Sequence, residues 1–258
     1  MKNTIYIVIT LLMISSSVKA DSKEPFQWQI GEELTYGVSW AFIRLGTVRV
    51  VVEDSLDINS VKVHHVRFYI DSNPYIFFVD MHSIFDCYID KHFRPVRYIA
   101  SENVDDEFKK AVYDFNYTDS LFTVDVYNSA NSRRISRNII ALQETTFDGI
   151  SMIFLTRNRI DSLSSENVLG FVDANLGRVQ LNFKGPGNPV EIEAVDREIP
   201  TYFISGEILM EGIAGVTGPY KGWFAQDNRR PQLRAELKVF IGNVVVELES
   251  WKNWSPPQ

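Results

Sequence analysis

Apolar and polar residues alternate with a period of two along most of this chain, and this pattern constrains the fold more than any other feature. Val48, Val50 and Val52 alternate with Arg49 and Glu53, so the valines share one face of a strand. Similar runs, rich in aromatic and β-branched residues, occupy 35–40, 47–54, 62–70, 83–89, 97–101, 111–117, 121–127, 178–183, 190–195, 208–211 and 233–251. The alternation predicts a mostly β protein of the α+β class.

One segment, residues 148–160, breaks the alternation and predicts the main helix. Its apolar residues recur at helical spacing, as Ile150, Ile153 and Phe154 show. Asp148 can cap the amides of the first turn, and Arg157 lies near the C-terminal end, where the helix dipole favours a cation. We expect this helix to pack on one face of the sheet.

Two stretches, 88–95 and 224–231, share one turn design. Each runs from a strand through an Asp turn and an Arg-Pro pair into the returning strand. Asp accepts backbone amides within a turn, and Pro opens a strand where its missing donor is tolerated. The predicted structural turn residues are Asp90, Arg94, Pro95, Asp227, Arg230 and Pro231.

The last hairpin is predicted to turn at Gly242-Asn243. Gly242 would take the positive φ of a type II′ turn. That register pairs Val239 with Val246 on an apolar face and sets Lys238 opposite Glu247 on the other.

The N-terminus predicts a secretory signal over residues 1–20, followed by a single β-rich domain over 21–258. A positive start precedes a short apolar run, which has roughly half of the about 20 residues that span a bilayer. Ala20 ends a sequence that signal peptidase accepts, and the next residues contain no Cys for lipid attachment. We expect an exported, soluble, periplasmic protein that is not a lipoprotein and has no stable membrane insertion after cleavage.

Charge and residue spacing argue against several classes of function. The chain carries 26 Lys+Arg and 33 Asp+Glu, a negative balance that repels nucleic acid. Cys87 is the single cysteine, and the four histidines lack zinc-ligand spacing, so we predict no metal and no cofactor. A GxSxG elbow and a complete phosphate-binding loop are also missing, which makes an enzyme the less favoured interpretation.

A glycine-rich segment from Gly206 to Gly222 lies beside the aromatic residues Tyr220, Trp223 and Phe224. These three side chains are candidates for an apolar ligand groove. The alternative is ordinary packing of aromatic residues in the core.

The chain also resembles a family of exported bacterial proteins, the domain of unknown function 3108. The motifs that carry the resemblance extend from about Gly31 to Ser250, and they are Gly31–Tyr36 with Trp40, Leu45–Thr47, Asp90 with Arg94–Val96, Phe147–Ser151, Trp223 with Asp227, Arg230-Pro231, Ile241-Gly242 and Glu247–Ser250. Gly149 departs from the family pattern, which often has Pro there. The resemblance implies a curved antiparallel sheet or open β-barrel around the helix, with a looser fold similarity to LolA-like lipoprotein carriers. It supplies no catalytic residues.

Three hypotheses of function remain from the sequence. The first is a non-enzymatic binding module that holds a lipid-like or apolar ligand in a curved β-sheet. The second is a structural or assembly partner of an envelope protein that uses an exposed sheet edge. The third is a hydrolase whose acids are clustered by the fold. An enclosed apolar cavity would favour the first, an unprotected edge strand the second, and paired acids with raised pKa values the third.

Overall fold

The computed structural model describes residues 24–76, 81–104, 107–128, 132–172, 175–210, 216–239 and 242–257. The predicted signal segment lies outside these ranges. The elements are β1 (Glu33–Trp40), β2 (Ile43–Ile58), β3 (Val61–Ser72), β4 (Met81–Asp90), β5 (Pro95–Val104), β6 (Glu107–Asn116), β7 (Leu121–Asn128), β8 (Arg134–Ala141), β9 (Thr146–Phe147), α1 (Gly149–Arg159), β10 (Ser165–Val172), β11 (Asn175–Pro186), β12 (Val190–Ile192), β13 (Val195–Ile199), β14 (Thr201–Ile208), β15 (Gly218–Ala225), β16 (Gln232–Lys238) and β17 (Asn243–Lys252).

One large sheet contains fifteen of these strands, in the order β8-β7-β6-β5-β4-β3-β2-β1-β17-β16-β15-β14-β11-β10-β9. Its neighbours pair antiparallel, except that the short strand β9 runs parallel to β10. The sheet is curved and does not close into a barrel. Strands β12 and β13 form a separate two-stranded sheet. The predicted fold class, a mostly β curved sheet with one main helix, is confirmed.

The two ends of this sheet carry different turns. In consecutive antiparallel strands every second turn lies at the same end. The turns β1–β2, β3–β4 and β16–β17 share one end, which we call the rim, and Trp40 pairs with Val244 there. The turns that follow Asp90 and Ala225 lie at the other end, which we call the base.

Alternation places the apolar side chains on the concave face, as the sequence predicts. Val50 and Phe68 are buried opposite each other on β2 and β3, whereas Arg49 points to the convex side and stacks over Tyr69. Phe171 of β10 packs against an aromatic cluster of β5, β6 and β7, formed by Tyr98, Tyr113, Phe115 and Phe122. The far end of the sheet therefore folds back over its first half.

Helix α1 fills the concave face and begins where the sequence predicts. Asp148 is the N-cap, and its side chain accepts hydrogen bonds from the amides of Ile150 and Ser151. Phe154 packs in the core cluster of β1–β7, and Leu155 packs in a second cluster under β11 and β14. Within the described part of the chain, α1 included, no helix has the length and apolarity needed to cross a membrane.

Both Asp-containing stretches form turns at the base. Asp90 accepts hydrogen bonds from the amides of His92 and Arg94, and from the Arg94 guanidinium. Asp227 accepts from the amides of Arg229 and Arg230. In each case a buried or half-buried carboxylate satisfies the amides of a short turn, which sets the direction of the returning strand.

The register predicted for the last hairpin is wrong. Leu237 pairs with Val244 and Lys238 with Asn243, and the Val239 amide donates to the Gly242 carbonyl. Gly242 has a φ of 76° and lies directly before β17, so it does not open a two-residue turn with Asn243. The observed pairing differs from the predicted one by an even number of residues, which keeps the valines on the same face. Alternation alone therefore does not distinguish the two registers.

The observed register predicts which cation stabilises this hairpin. Arg234 lies opposite Glu247, with Arg234 Nη1 3.2 Å from Glu247 Oε2, and it also contacts Glu236. We expect Arg234→Glu to lower the free energy of unfolding by about 1 kcal/mol, because three carboxylates would then face one another. Lys238→Glu, beside Asn243, should be close to neutral. Urea denaturation of both variants tests this, and a more damaging Lys238→Glu would restore the two-residue turn.

Candidate functional site

A buried ion pair holds α1 against the base of the sheet. Arg157 Nη1 donates to Glu32 Oε1 at 2.6 Å, and Nη2 donates to Glu32 Oε2 at 3.0 Å. Both side chains are almost fully buried, at 3% and 2% exposure. Arg229 Nη2 donates to the same carboxylate at 2.5 Å. Burial alone would raise the pKa of Glu32, but the guanidinium groups of Arg157 and Arg229 hold that pKa below its usual range.

The C-terminal end of α1 is held by a second buried arginine. Arg230 Nη1 donates to the carbonyls of Arg157 and Asn158, at 3.1 and 3.0 Å, and Nη2 binds Asp161 at 2.9 Å. These carbonyls belong to the last turn, which lacks partners within the helix. Arg230 itself has a φ of 49° in the turn after Asp227. The base turn therefore also caps the helix.

The chain segment before β1 fills the base of the concave face with aromatic side chains. Trp28 stacks on Phe154 at 4.5 Å between ring centroids and on His64 at 4.1 Å. Phe26 lies edge-on to Trp28, and the Arg157 guanidinium lies 5.1 Å from the Phe26 ring centroid. The concave face is thus packed by the chain's own residues toward the base.

An apolar cleft remains on the concave face between α1 and strands β1, β2, β3, β16 and β17. Its cavity volume is about 60 Å³. The lining is apolar apart from two polar side chains and a tyrosine, and comprises Leu34, Tyr36, Val48, Val50, Phe68, Ile153, Phe154, Arg157, Gln232 and Val246. Val48, Ile153 and Val246 are only partly buried, so the cleft has accessible apolar walls. Arg157 is already neutralised by Glu32, which makes the cleft a site for an apolar group and not for an anion.

The protein's single cysteine contacts the N-cap residue of the helix. Cys87 is fully buried on β4, and its thiol donates to Asp148 Oδ2 at 3.0 Å. Burial raises the pKa of the Cys87 thiol, and the Asp148 carboxylate raises it further. Burial likewise raises the pKa of Asp148. A buried thiol with a raised pKa is a poor nucleophile, so its position is that of a packing residue and a hydrogen-bond donor.

Metal ligands do not define a site in the described ranges. No group of three or more His, Cys, Asp or Glu side chains there has the arrangement to hold a metal ion. Asp148 is the described carboxylate whose pKa is raised, and its close partner is the thiol of Cys87 instead of a second acid. A glycosidase-like pair needs two carboxylates of different pKa facing one substrate.

The three candidate groove residues lie on β15 but do not share a face. Phe224 is buried in the second core cluster, and Tyr220 packs against that cluster while its hydroxyl donates to the Gln180 carbonyl at 2.9 Å. Trp223 points to the other side, where its ring lies 5.3 Å from that of Phe203. None of the three lines the 60 Å³ cleft. A role for them in ligand binding stays a prediction.

Strand β8 is an exposed edge of the sheet, and its side chains are exposed along nearly its whole length. Arg137 on β8 pairs with Asp125 on β7 through a short charge-assisted contact of 2.5 Å, and Arg134 lies 3.6 Å from the same carboxylate. Charged side chains on an edge strand oppose pairing with another strand. Ile135 and Ile139 on the same strand are nevertheless 63% and 64% exposed, so the charges protect the edge only in part.

Sequence reasoning missed the ion pair that anchors the site. Glu32 and Arg157 are 125 positions apart, and although Glu32 lies in the Gly31–Tyr36 motif, nothing in the sequence pairs it with Arg157. The sequence does place Arg157 beside the apolar stripe of the helix. A cation at that position is equally typical of a solvated Arg near a helix C-terminus, so it does not indicate a buried ion pair.

The comparisons with known proteins place this chain in a family without assigning an activity. It belongs to the family described as "Protein of unknown function (DUF3108)", whose pattern matches residues 35–249. A solved structure with a similar fold is the β-barrel-like protein of the domain of unknown function DUF1849 from Brucella abortus, at 8% identity and a TM-score of 0.56. That match covers 86% of this chain and 97% of the other. No curated protein matches this chain.

The ion pair yields a stability prediction. Glu32→Gln leaves the Arg157 cation buried without its anion, and we expect the free energy of unfolding to fall by about 3–5 kcal/mol. Because the folded pKa of Glu32 is depressed, the stability it contributes is present above its unfolded pKa and is lost as pH falls through the folded value. The matched control is Glu33→Gln, whose partner Lys252 is exposed, with an expected cost below about 1 kcal/mol. Equal losses in urea would show that the buried pair is not the anchor.

The helix cap yields a pH dependence of stability opposite to that of Glu32. The pKa of Asp148 is raised, so its contribution to stability is present below its unfolded pKa and is lost as pH rises through the folded value. Asp148→Asn keeps an oxygen for the two amides and removes the charge. We therefore expect Asp148→Asn to become more stable relative to the wild type, in free energy of unfolding, as the pH rises from 4 to 7.

The control for the cap is Asp148→Ala, which removes the acceptor of both amides and should be less stable than Asp148→Asn by about 0.5–2 kcal/mol at either pH, because neither variant has the titrating carboxyl. Urea midpoints at several pH values measure all three proteins. A constant difference between Asp148→Asn and wild type would mean that the buried carboxyl does not titrate in this range.

Proposed function

We propose that this protein is an exported, non-enzymatic binding module of the cell envelope that holds an apolar ligand on the concave face of its open sheet. The observation that carries the proposal is the cleft between α1 and strands β1–β3, β16 and β17. Its walls are apolar and partly exposed, which is the usual character of a site for a hydrophobic group.

The volume of the cleft limits what it holds. A cavity of about 60 Å³ is too small for a complete lipid, since an engineered cavity of about 150 Å³ holds one benzene ring. It suits the end of an acyl chain or a comparably small apolar group. The remainder of a longer chain would follow the partly exposed walls of Val48 and Ile70 on the way toward the rim.

Two other functions receive less support. The exposed edge strand β8 would favour an assembly partner, but Arg134 and Arg137 lie across it and oppose strand addition. A hydrolase would need paired acids, and the raised pKa of Asp148 comes from burial beside Cys87. The family and the fold carry no activity of their own.

Filling the cleft tests the proposal. Val246→Phe adds a ring to its wall, whereas Val245→Phe adds the same ring to the opposite face of the same strand. We expect the dissociation constant for a medium-chain fatty acid, measured by isothermal titration calorimetry, to rise about tenfold or more in Val246→Phe and to stay unchanged in Val245→Phe. A binding site elsewhere would give equal constants in both variants. Absence of measurable uptake by the wild type would reject the proposal.

A further inference from the structure

Exposed apolar side chains stand at the rim on the ends of several different strands and turns. They are Phe42, Ile43, Tyr75, Phe108, Leu176 and Leu209. Among the described residues Phe42 and Tyr75 are the most exposed large apolar side chains, at 106% and 93%. We call Phe42, Ile43 and Tyr75 the aromatic tip, since they lie on the neighbouring turns β1–β2 and β3–β4.

Phe42 occupies a backbone position that disfavours it. Trp40 pairs with Ile43, so Ala41 and Phe42 form a two-residue turn in which both have positive φ, at 46° and 70°. Such turns favour Asn and Gly, because a side chain resists the left-handed region. The Phe42 ring lies entirely in solvent, so no packing within this chain compensates for the strain. Its position therefore points to a contact outside the chain.

Hydrogen bonds tie the β3–β4 turn, which carries Tyr75, to the start of β2 just after the β1–β2 turn. The side-chain amide of Asn73 donates to the Arg44 carbonyl at 2.8 Å, and the Asn73 backbone amide donates to the Leu45 carbonyl at 2.7 Å. The amide of Tyr75 donates to Asn73 Oδ1 at 3.0 Å. The aromatic tip is thus a braced surface and not a pair of independent loops.

The shape and charge of the tip fit a lipid surface. The rings of Phe42 and Tyr75 protrude from turns into solvent. Arg44, the cation beside the tip, is ion-paired with Glu249, and the chain as a whole has a net charge of −7. Attraction to anionic lipids is therefore weak, and the contact rests on aromatic and apolar groups, which favour the interfacial zone of a bilayer.

We propose that the aromatic tip docks this protein on the surface of a lipid bilayer, with Phe42, Ile43 and Tyr75 inserted at the level of the headgroups. Docking would point the rim toward the membrane and leave the hydrogen-bonded base in water. None of the three tip residues lines the cleft, so the docking surface and the proposed ligand site are tested separately.

Co-sedimentation with phosphatidylcholine vesicles tests the docking surface on the chain from Asp21 onward, because the apolar run before Ala20 would itself bind lipid. We expect the wild type to bind, and to bind no better when an anionic lipid is added. Phe42→Ser and Tyr75→Ser should each lower the partition coefficient about tenfold or more. Leu163→Ser, which changes an 80% exposed side chain at the base, is the matched control and should bind as the wild type does.

Phe42→Gly separates docking from folding. Glycine accepts the positive φ, so this variant should show a higher denaturation midpoint together with weaker vesicle binding. The proposal is overturned if the wild type does not bind vesicles, or if Leu163→Ser loses as much binding as the tip variants. It is also overturned if analytical ultracentrifugation without lipid shows a dimer that the tip variants dissociate while vesicle binding persists.

Discussion

The buried contact between Glu32 and Arg157 is the interaction on which the interior of this protein depends. An unclosed curved sheet leaves an apolar concave face that another element must cover. Helix α1 covers it, and Arg157 ties the helix to the residue just before β1, while Arg229 reaches the same carboxylate from the base turn. One carboxylate therefore joins three segments that are far apart in the sequence. Without it the helix would keep its apolar packing but lose its polar anchor.

A buried ion pair is costly to form, since both charges leave water, and hydrophobic replacements are often equally stable. Here the ion pair serves to position the helix. The Arg157 guanidinium donates to Glu32 and to the Arg229 carbonyl, and Arg230 donates to the last helix carbonyls. These directional contacts fix the rotation and depth of the helix against the sheet. The cleft between them keeps its shape because its floor, Phe154, lies one turn before Arg157 on the same helix.

Local chemistry made much of the fold predictable from the sequence. The N-cap Asp148 and the turn carboxylates Asp90 and Asp227 act on amides two to four residues away, so their roles can be read without knowing the rest of the chain. The register of the last hairpin was not predictable, because a shift by four residues preserves the facing of every valine. The Glu32–Arg157 pair was hidden for the complementary reason, that tertiary folding alone brings the two residues together.

The turns at the two ends of the molecule also differ in what stabilises them. At the base, short turns are satisfied by Asp90 and Asp227, and Trp254 donates its indole N–H to Asp227 at 2.7 Å. At the rim, the β1–β2 turn instead places Phe42 in the left-handed region with its ring in solvent. A turn sequence selected only for folding would carry Asn or Gly there. The base turns are therefore satisfied within the chain, whereas the proposed docking surface rests on a rim turn whose side chain has no partner within the chain.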